Sequence, residues 1–147
     1  MKEPPPVVYL ASSEDTNGVY ALVQLAVQPG DGPVMHRHSR EDEGFVVLRG
    51  EITFTVDGAA HVRRAGEHIF AARGTAHTYR NSGDDLAVML VLMIPGGMER
   101  MFKDIDGYIA ARMEDATGED AHLRGGRLFE ERLREIAGDY GLELLGA

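Results

Sequence analysis

Residues 30–50 read Gly30-Asp31-Gly32-Pro33-Val34-Met35-His36-Arg37-His38-Ser39-Arg40-Glu41-Asp42-Glu43-Gly44-Phe45-Val46-Val47-Leu48-Arg49-Gly50. Turn residues open the segment, Val34 to His38 reads as a short strand, Ser39 to Asp42 as a polar turn, and a β-branched run ends at a second glycine. Residues two apart in a strand project from one face, so His36 and His38 share a side with Val34 while Arg37 points away. Glu43 lies beyond the turn, where the returning strand brings its carboxylate back towards the imidazoles. A third imidazole, His77, comes from elsewhere in the fold, and Tyr79 and Asn81 share its parity. Histidine supplies neutral nitrogen donors and glutamate offsets part of a cation's charge, so His36, His38, Glu43 and His77 look like four ligands of one divalent metal.

The flanking sequence is strand-rich. Val7 to Leu10 and Tyr20 to Val27 carry β-branched and aromatic residues on either side of the turn-forming stretch 12–18. Ile52, Phe54 and Val56 alternate with Thr53 and Thr55, which describes a half-buried strand, and Asp57-Gly58 behind them is a hairpin turn. Gly66, Gly74 and Gly83 divide the next stretch of chain into short strands around Ile69-Phe70 and His77 to Tyr79, and Leu86 to Ile94 suits a buried strand. Short strands about ten residues apart predict a β-sandwich or barrel. After Pro95-Gly96-Gly97 the period changes: Met101, Phe102, Ile105, Tyr108 and Ile109, then Phe129, Leu133, Ile136 and Tyr140, recur at helical spacing. The expected layout is a barrel over residues 1–97 and a helical extension over 98–147 packed on it, with a loop across 118–126.

Composition narrows the function classes. A chain of 147 residues with 44% hydrophobic and 27% charged residues is a single globular domain. The net charge of −9 argues against nucleic-acid partners, which draw on clustered lysine and arginine. No apolar run approaches a membrane span, the first residues lack a signal peptide's apolar core, and there are no cysteines. A cytoplasmic protein with a small-molecule substrate is the expectation. Missing cysteines also leave a metal nitrogen and oxygen ligands alone.

Two spacings resemble the cupin superfamily. Its first motif, a glycine, five residues, His-x-His, three or four residues, Glu, six residues and a glycine, is matched by Gly30, His36, His38, Glu43 and Gly50. Its second maps to Gly66, Ala72, Gly74, His77 and Asn81, over residues 66–81, with Ala72 where the family usually has proline. The first motif's count selects Glu43 over Glu41 or Asp42 as the acidic ligand. The resemblance implies an all-β fold, a cupin-type jelly-roll β-barrel, holding one divalent transition metal. Iron, manganese, nickel and copper are the candidates, with zinc as a further one. The runs Phe45 to Glu51 and Pro95 to Phe102 are similar to single-domain cupins of the quercetin 2,3-dioxygenase kind. That narrower likeness implies a dioxygenase acting on a small aromatic or enolic compound, with Glu43 also serving as general base. A non-redox isomerase, lyase or polyketide cyclase and a non-catalytic binding module are the alternatives.

Parity nominates the cavity lining: Phe45 and Val47 follow Glu43, Tyr79 follows His77, and Phe54, Met89, Val91 and Met93 come from neighbouring strands. His61 is expected at the surface and His68 in a structural role, while His122 lies in a polar loop. The acidic pairs Glu14-Asp15, Glu41-Asp42, Glu114-Asp115 and Glu119-Asp120 read as solvated turns. Exposed sheet edges, and a first strand able to pair with a neighbour's edge, point to a homodimer, which the cupin likeness also implies.

Overall fold

Strand-length segments of alternating character pair here into two antiparallel five-stranded sheets, in a computed structural model that describes residues 2–115 and 127–145. The strands are β1 (Val7–Ala11), β2 (Ala21–Val27), β3 (His36–His38), β4 (Asp42–Arg49), β5 (Glu51–Val56), β6 (Ala59–Arg64), β7 (His68–Ala71), β8 (His77–Asn81) and β9 (Ala87–Ile94). Two helices, α1 (Glu99–Asp115) and α2 (Arg127–Asp139), precede β10 (Leu142–Leu144). The first sheet runs β1-β2-β9-β4-β7 and the second β10-β3-β8-β5-β6. Without β1 and β10, that order is the jelly roll expected from sequence, with each sheet lengthened by one strand at one edge.

The alternation seen in the sequence decides which side of each strand is wet. Along β2, Ala21, Val23, Leu25 and Val27 are buried; along β4, Glu43, Phe45 and Val47 are. Ile52 and Phe54 fill the core from β5 while Thr53 and Thr55 face out. Asp57 (φ 49°) and Gly58 (φ 80°) make the tight turn between β5 and β6, as a two-residue hairpin requires. β9, from the longest apolar run, sits between β2 and β4 with Ala87, Val88, Met89, Val91 and Met93 buried.

Two local readings change. Val34 and Met35 stay outside the strand they were expected to open, and Asp42, expected in the turn, begins β4. The segment after residue 97 is not purely helical, because β10 pairs antiparallel with β3, Leu142 opposite His38 and Leu144 opposite His36. The amide N–H of Ser39 donates to the Gly141 carbonyl (2.9 Å) and that of Leu145 to the Met35 carbonyl (2.8 Å), extending the ladder at both ends. α1 begins where the buried Glu99 carboxylate accepts the amides of Ser13 (2.6 Å) and Gly97 (2.7 Å). Met98 and Met101 from this end, and Ile136 and Ala137 from α2, join the barrel core. His122, Glu119-Asp120 and the loop expected across 118–126 lie outside the described residues.

Candidate metal centre

β3 and β8 are neighbours in the second sheet with His36 directly opposite His77, so three imidazoles from one sheet converge on the barrel axis. Glu43 comes from β4 in the other sheet. All four are buried, at 7% exposure for His36, 3% for His38, 4% for Glu43 and 2% for His77. Ring centroids lie 5.0 Å (His36–His38), 4.5 Å (His36–His77) and 5.3 Å (His38–His77) apart. One donor atom from each residue falls within 4.8 Å of the rest. Four donors of this kind converging so closely are the set that would hold one divalent ion.

The imidazoles are held ready for that role. His36 Nδ1 donates to the Val34 carbonyl (2.8 Å) and His77 Nδ1 to the Thr75 carbonyl (3.0 Å), each two residues back. A carbonyl only accepts, so Nδ1 carries the hydrogen in both, and Nε2 is the nitrogen available to an ion. His77 Nε2 lies 2.9 Å from Glu43 Oε2, and His38 Nε2 3.3 Å from Oε1.

Burial lowers His36 to about 4, with the nearby imidazoles adding to it, so this ring is neutral at pH 7. Burial would raise Glu43, but His38 and His77 outweigh it and hold the carboxyl down to about 2. Burial also works against a charge on His77, yet the Glu43 hydrogen bond prevails and raises it. A cation held here would compete with a proton for the His77 nitrogen that faces Glu43.

The two histidine-bearing segments fix one another. Gly30 N–H donates to the Asn81 carbonyl (2.9 Å), Asn81 N–H to Asp31 (3.0 Å) and Gly74 N–H to His38 (2.7 Å). Buried Asn81 spends its side chain on backbone, donating to Val27 and Asp85 (2.8 Å each) and accepting from Gly83 (2.9 Å). Its place in the motif is therefore structural. At Gly32 a Cβ would stand 1.9 Å from the Tyr79 carbonyl, so the chain ahead of the histidines passes β8 at a distance that admits no side chain. Ala72, in the proline position, closes its turn by accepting from Thr75 N–H (3.1 Å).

A cavity of about 110 Å³, partly open to solvent, leads from His36, His38 and Glu43 outwards. Phe45, Tyr79 and Val91, three of the expected lining residues, line it. Val47, Phe54, Met89 and Met93 do not; they are fully buried in the core. Parity gave their inward direction, but depth along the barrel depends on where each residue falls on its strand. The rest of the wall comes from places the pattern did not suggest: Leu25 and Pro33, Met98, Met101 and Phe102 near the start of α1, and Leu142 and Leu144 of β10. The Leu142-Glu143-Leu144 alternation was the available signal for β10.

Glu41, read as a solvated turn residue, is 5% exposed beside His38, and burial raises its carboxyl. Asp42 is instead half-buried, and Arg73 N–H (2.7 Å) and Nη2 (3.2 Å) donate to it and hold its carboxyl down. His61 is half-buried on β6 rather than at the surface, and His68 is exposed on β7 opposite Val46.

Residues 23–94 match the family described as "Cupin domain". Over 71 residues the chain is 31% identical to quercetin 2,3-dioxygenase of Bacillus subtilis (strain 168), covering 48% of this chain and 21% of that protein. It is 28% identical over 79 residues to the oxalate-binding protein of Thermotoga maritima, covering 53% of this chain and 65% of that one. The chain thus spans less than two thirds of either curated relative. Among solved structures, a predicted oxalate decarboxylase from Thermotoga maritima superposes with a TM-score of 0.57 at 27% identity, over 60% of this chain and 78% of that one. No helix among the described residues is long and apolar enough to cross a membrane. With the jelly-roll strand order and the matched domain, the chain belongs to the cupin superfamily.

Proposed function

We propose that this cupin is a metal-dependent dioxygenase for a small aromatic or enolic, flavonol-like compound, with His36, His38, Glu43 and His77 holding one divalent transition ion. One observation carries the reading: the void leading to the donors is walled by Phe45, Tyr79, Met98, Met101, Phe102, Leu142 and Leu144, with no lysine or arginine among the described residues of its lining. Binding a small dianion or a sugar phosphate in such a place calls for cationic donors. A flat, largely apolar ring system calls for the walls that are present. The Bacillus quercetin dioxygenase among the relatives points the same way.

The ion, when bound, supplies an electrophilic centre for an enol oxygen and a redox partner for dioxygen. The chain's own groups do the rest. Glu43, ionised and beside the void, accepts the proton of the substrate hydroxyl. Burial, and then the charge of Glu43, raise the Tyr79 phenol, which therefore stays protonated and can donate to a substrate oxygen. Phe45, Met101 and Phe102 exclude water from the exposed ring.

The test loads the full chain separately with iron, manganese, nickel, copper and zinc and follows dioxygen uptake with flavonols and other enolic phenols. One dioxygen consumed per substrate with a redox-active ion, and none with zinc, is expected. Turnover without uptake would transfer the reading to an isomerase, lyase or cyclase using the ion as a Lewis acid. Binding without turnover would leave a small-molecule-binding module.

We also propose a homodimer built on the outer face of the first sheet. Leu22, Leu92 and Phe70 lie in one row across it, with Phe70 53% exposed, and apolar sheet faces of this kind mark interfaces.

A further inference from the structure

The three imidazoles differ in what holds their outer nitrogen. His36 and His77 each give Nδ1–H to a backbone carbonyl two residues back. Among the described residues His38 has no such carbonyl: its Nδ1 is buried and has no hydrogen-bond partner there. The nearest carboxylate oxygen is Glu41 Oε2, 3.9 Å away, itself buried and equally without a partner. Two buried orphan atoms of complementary type facing each other are rare in a folded chain, where such groups are nearly always satisfied. The two nitrogens of an imidazole diverge. A carboxylate at Nδ1 therefore lies outside the coordination sphere that Nε2 faces, and Glu41 is not a fifth ligand.

We propose that Glu41 is the positioning carboxylate of His38. It receives the Nδ1–H when His38 turns Nε2 onto the ion, directly or through one water, and so fixes the ring and strengthens its donor nitrogen. This rests on the metal reading above. It gives the centre one anionic outer partner, on His38 alone, while His36 and His77 have neutral ones. Asp42, the adjacent carboxylate, is excluded from the role because it faces out and is engaged by Arg73.

Cobalt(II) is the probe, used with the full chain and with Glu41→Gln and Glu41→Ala. Chelator competition gives the affinity, and the visible absorption and the paramagnetically shifted ring N–H resonances report the ligand environment. Glu41→Ala is expected to weaken cobalt by about 10–100-fold and to shift one N–H resonance of the three. Glu41→Gln, which keeps an acceptor and loses the charge, is expected to fall between Ala and the parent. Such graded loss supports the inference, since a merely structural role would lower the melting temperature and leave the resonances in place. Variants with the parent's affinity and spectrum overturn the Glu41 role and leave the metal reading standing. A parent that takes up no cobalt overturns both.

Discussion

The second sheet brings three imidazoles to the barrel axis and turns Thr53, Thr55, Thr78 and Arg80 outwards, whereas the first brings one carboxylate inwards and turns Leu22, Leu92 and Phe70 outwards. The neutral donors are thus preassembled within one hydrogen-bonded sheet, where β3 and β8 set His36 against His77. The charged donor arrives from across the core and depends on how the two sheets pack. An ion held by all four would be a cross-link between layers as well as a reagent. The sharpest way to separate the layers is to remove one donor from each. His36→Ala is expected to weaken metal by more than the roughly 10–100-fold that loss of an outer partner costs. Glu43→Gln is expected to keep substantial metal and to lose turnover by about 10²–10⁴-fold, the usual worth of a positioned base. Metal content and dioxygen uptake on the same samples decide it, and full activity in Glu43→Gln would end the assignment of Glu43 as base.

If the ion joins the sheets, stability should register it. At free ion about one hundred times Kd, binding to the folded state alone adds about 2.7 kcal/mol. For a chain of this size that is roughly 5–10 °C in melting temperature. The rise is expected in the parent, reversed by a chelator, and absent in His36→Ala. An unchanged melting curve in the parent would mean that no ion bridges the layers.

The outer faces offer a smaller effect. Phe70→Ser on the first sheet is expected to weaken self-association roughly tenfold or more, since burial of such a side chain is worth about 1.5–3 kcal/mol. Thr55→Ser on the second should leave it unchanged. Sedimentation at micromolar concentration distinguishes them, and a monomeric parent refutes the dimer.

Much of this contrast is legible in the amino-acid sequence. Alternation at Ile52, Phe54 and Val56 and the parity of His36 with His38 report which way side chains point, because a strand's period is two. That information is directional. It points Phe45 and Tyr79 towards the void but carries no depth, so it does not separate them from Met89 and Met93, which lie in the core. Contacts closed over long sequence distances left weaker traces. A three-residue strand such as Leu142–Leu144 offers only a brief alternation, and its partner His36–His38 lies about a hundred residues earlier. Glu41 reads as a turn residue by composition; its burial comes from the turn folding against His38, which spacing alone does not encode.

Glu43 has a counterpart that tests whether a buried carboxylate serves chemistry or folding. Glu99, 1% exposed, binds the amides of Ser13 and Gly97 and so ties the stretch between β1 and β2 to the start of α1. Burial works to raise its carboxyl, but the hydrogen bonds to those groups outweigh it and lower it below the ordinary value. A carboxyl lowered in the folded state adds stability that is fully present above its unfolded pKa, about 4.3, and is lost as pH falls through the folded value. Glu99→Gln is therefore expected to be less stable than the parent above about pH 5, by roughly the 1–3 kcal/mol of a disrupted buried bond, with the two curves converging under acid. Urea midpoints across that range measure the gap. Dioxygen uptake at neutral pH should survive in Glu99→Gln and vanish in Glu43→Gln. A gap that stays constant with pH would show that the shape of the Glu99 side chain matters and its charge does not.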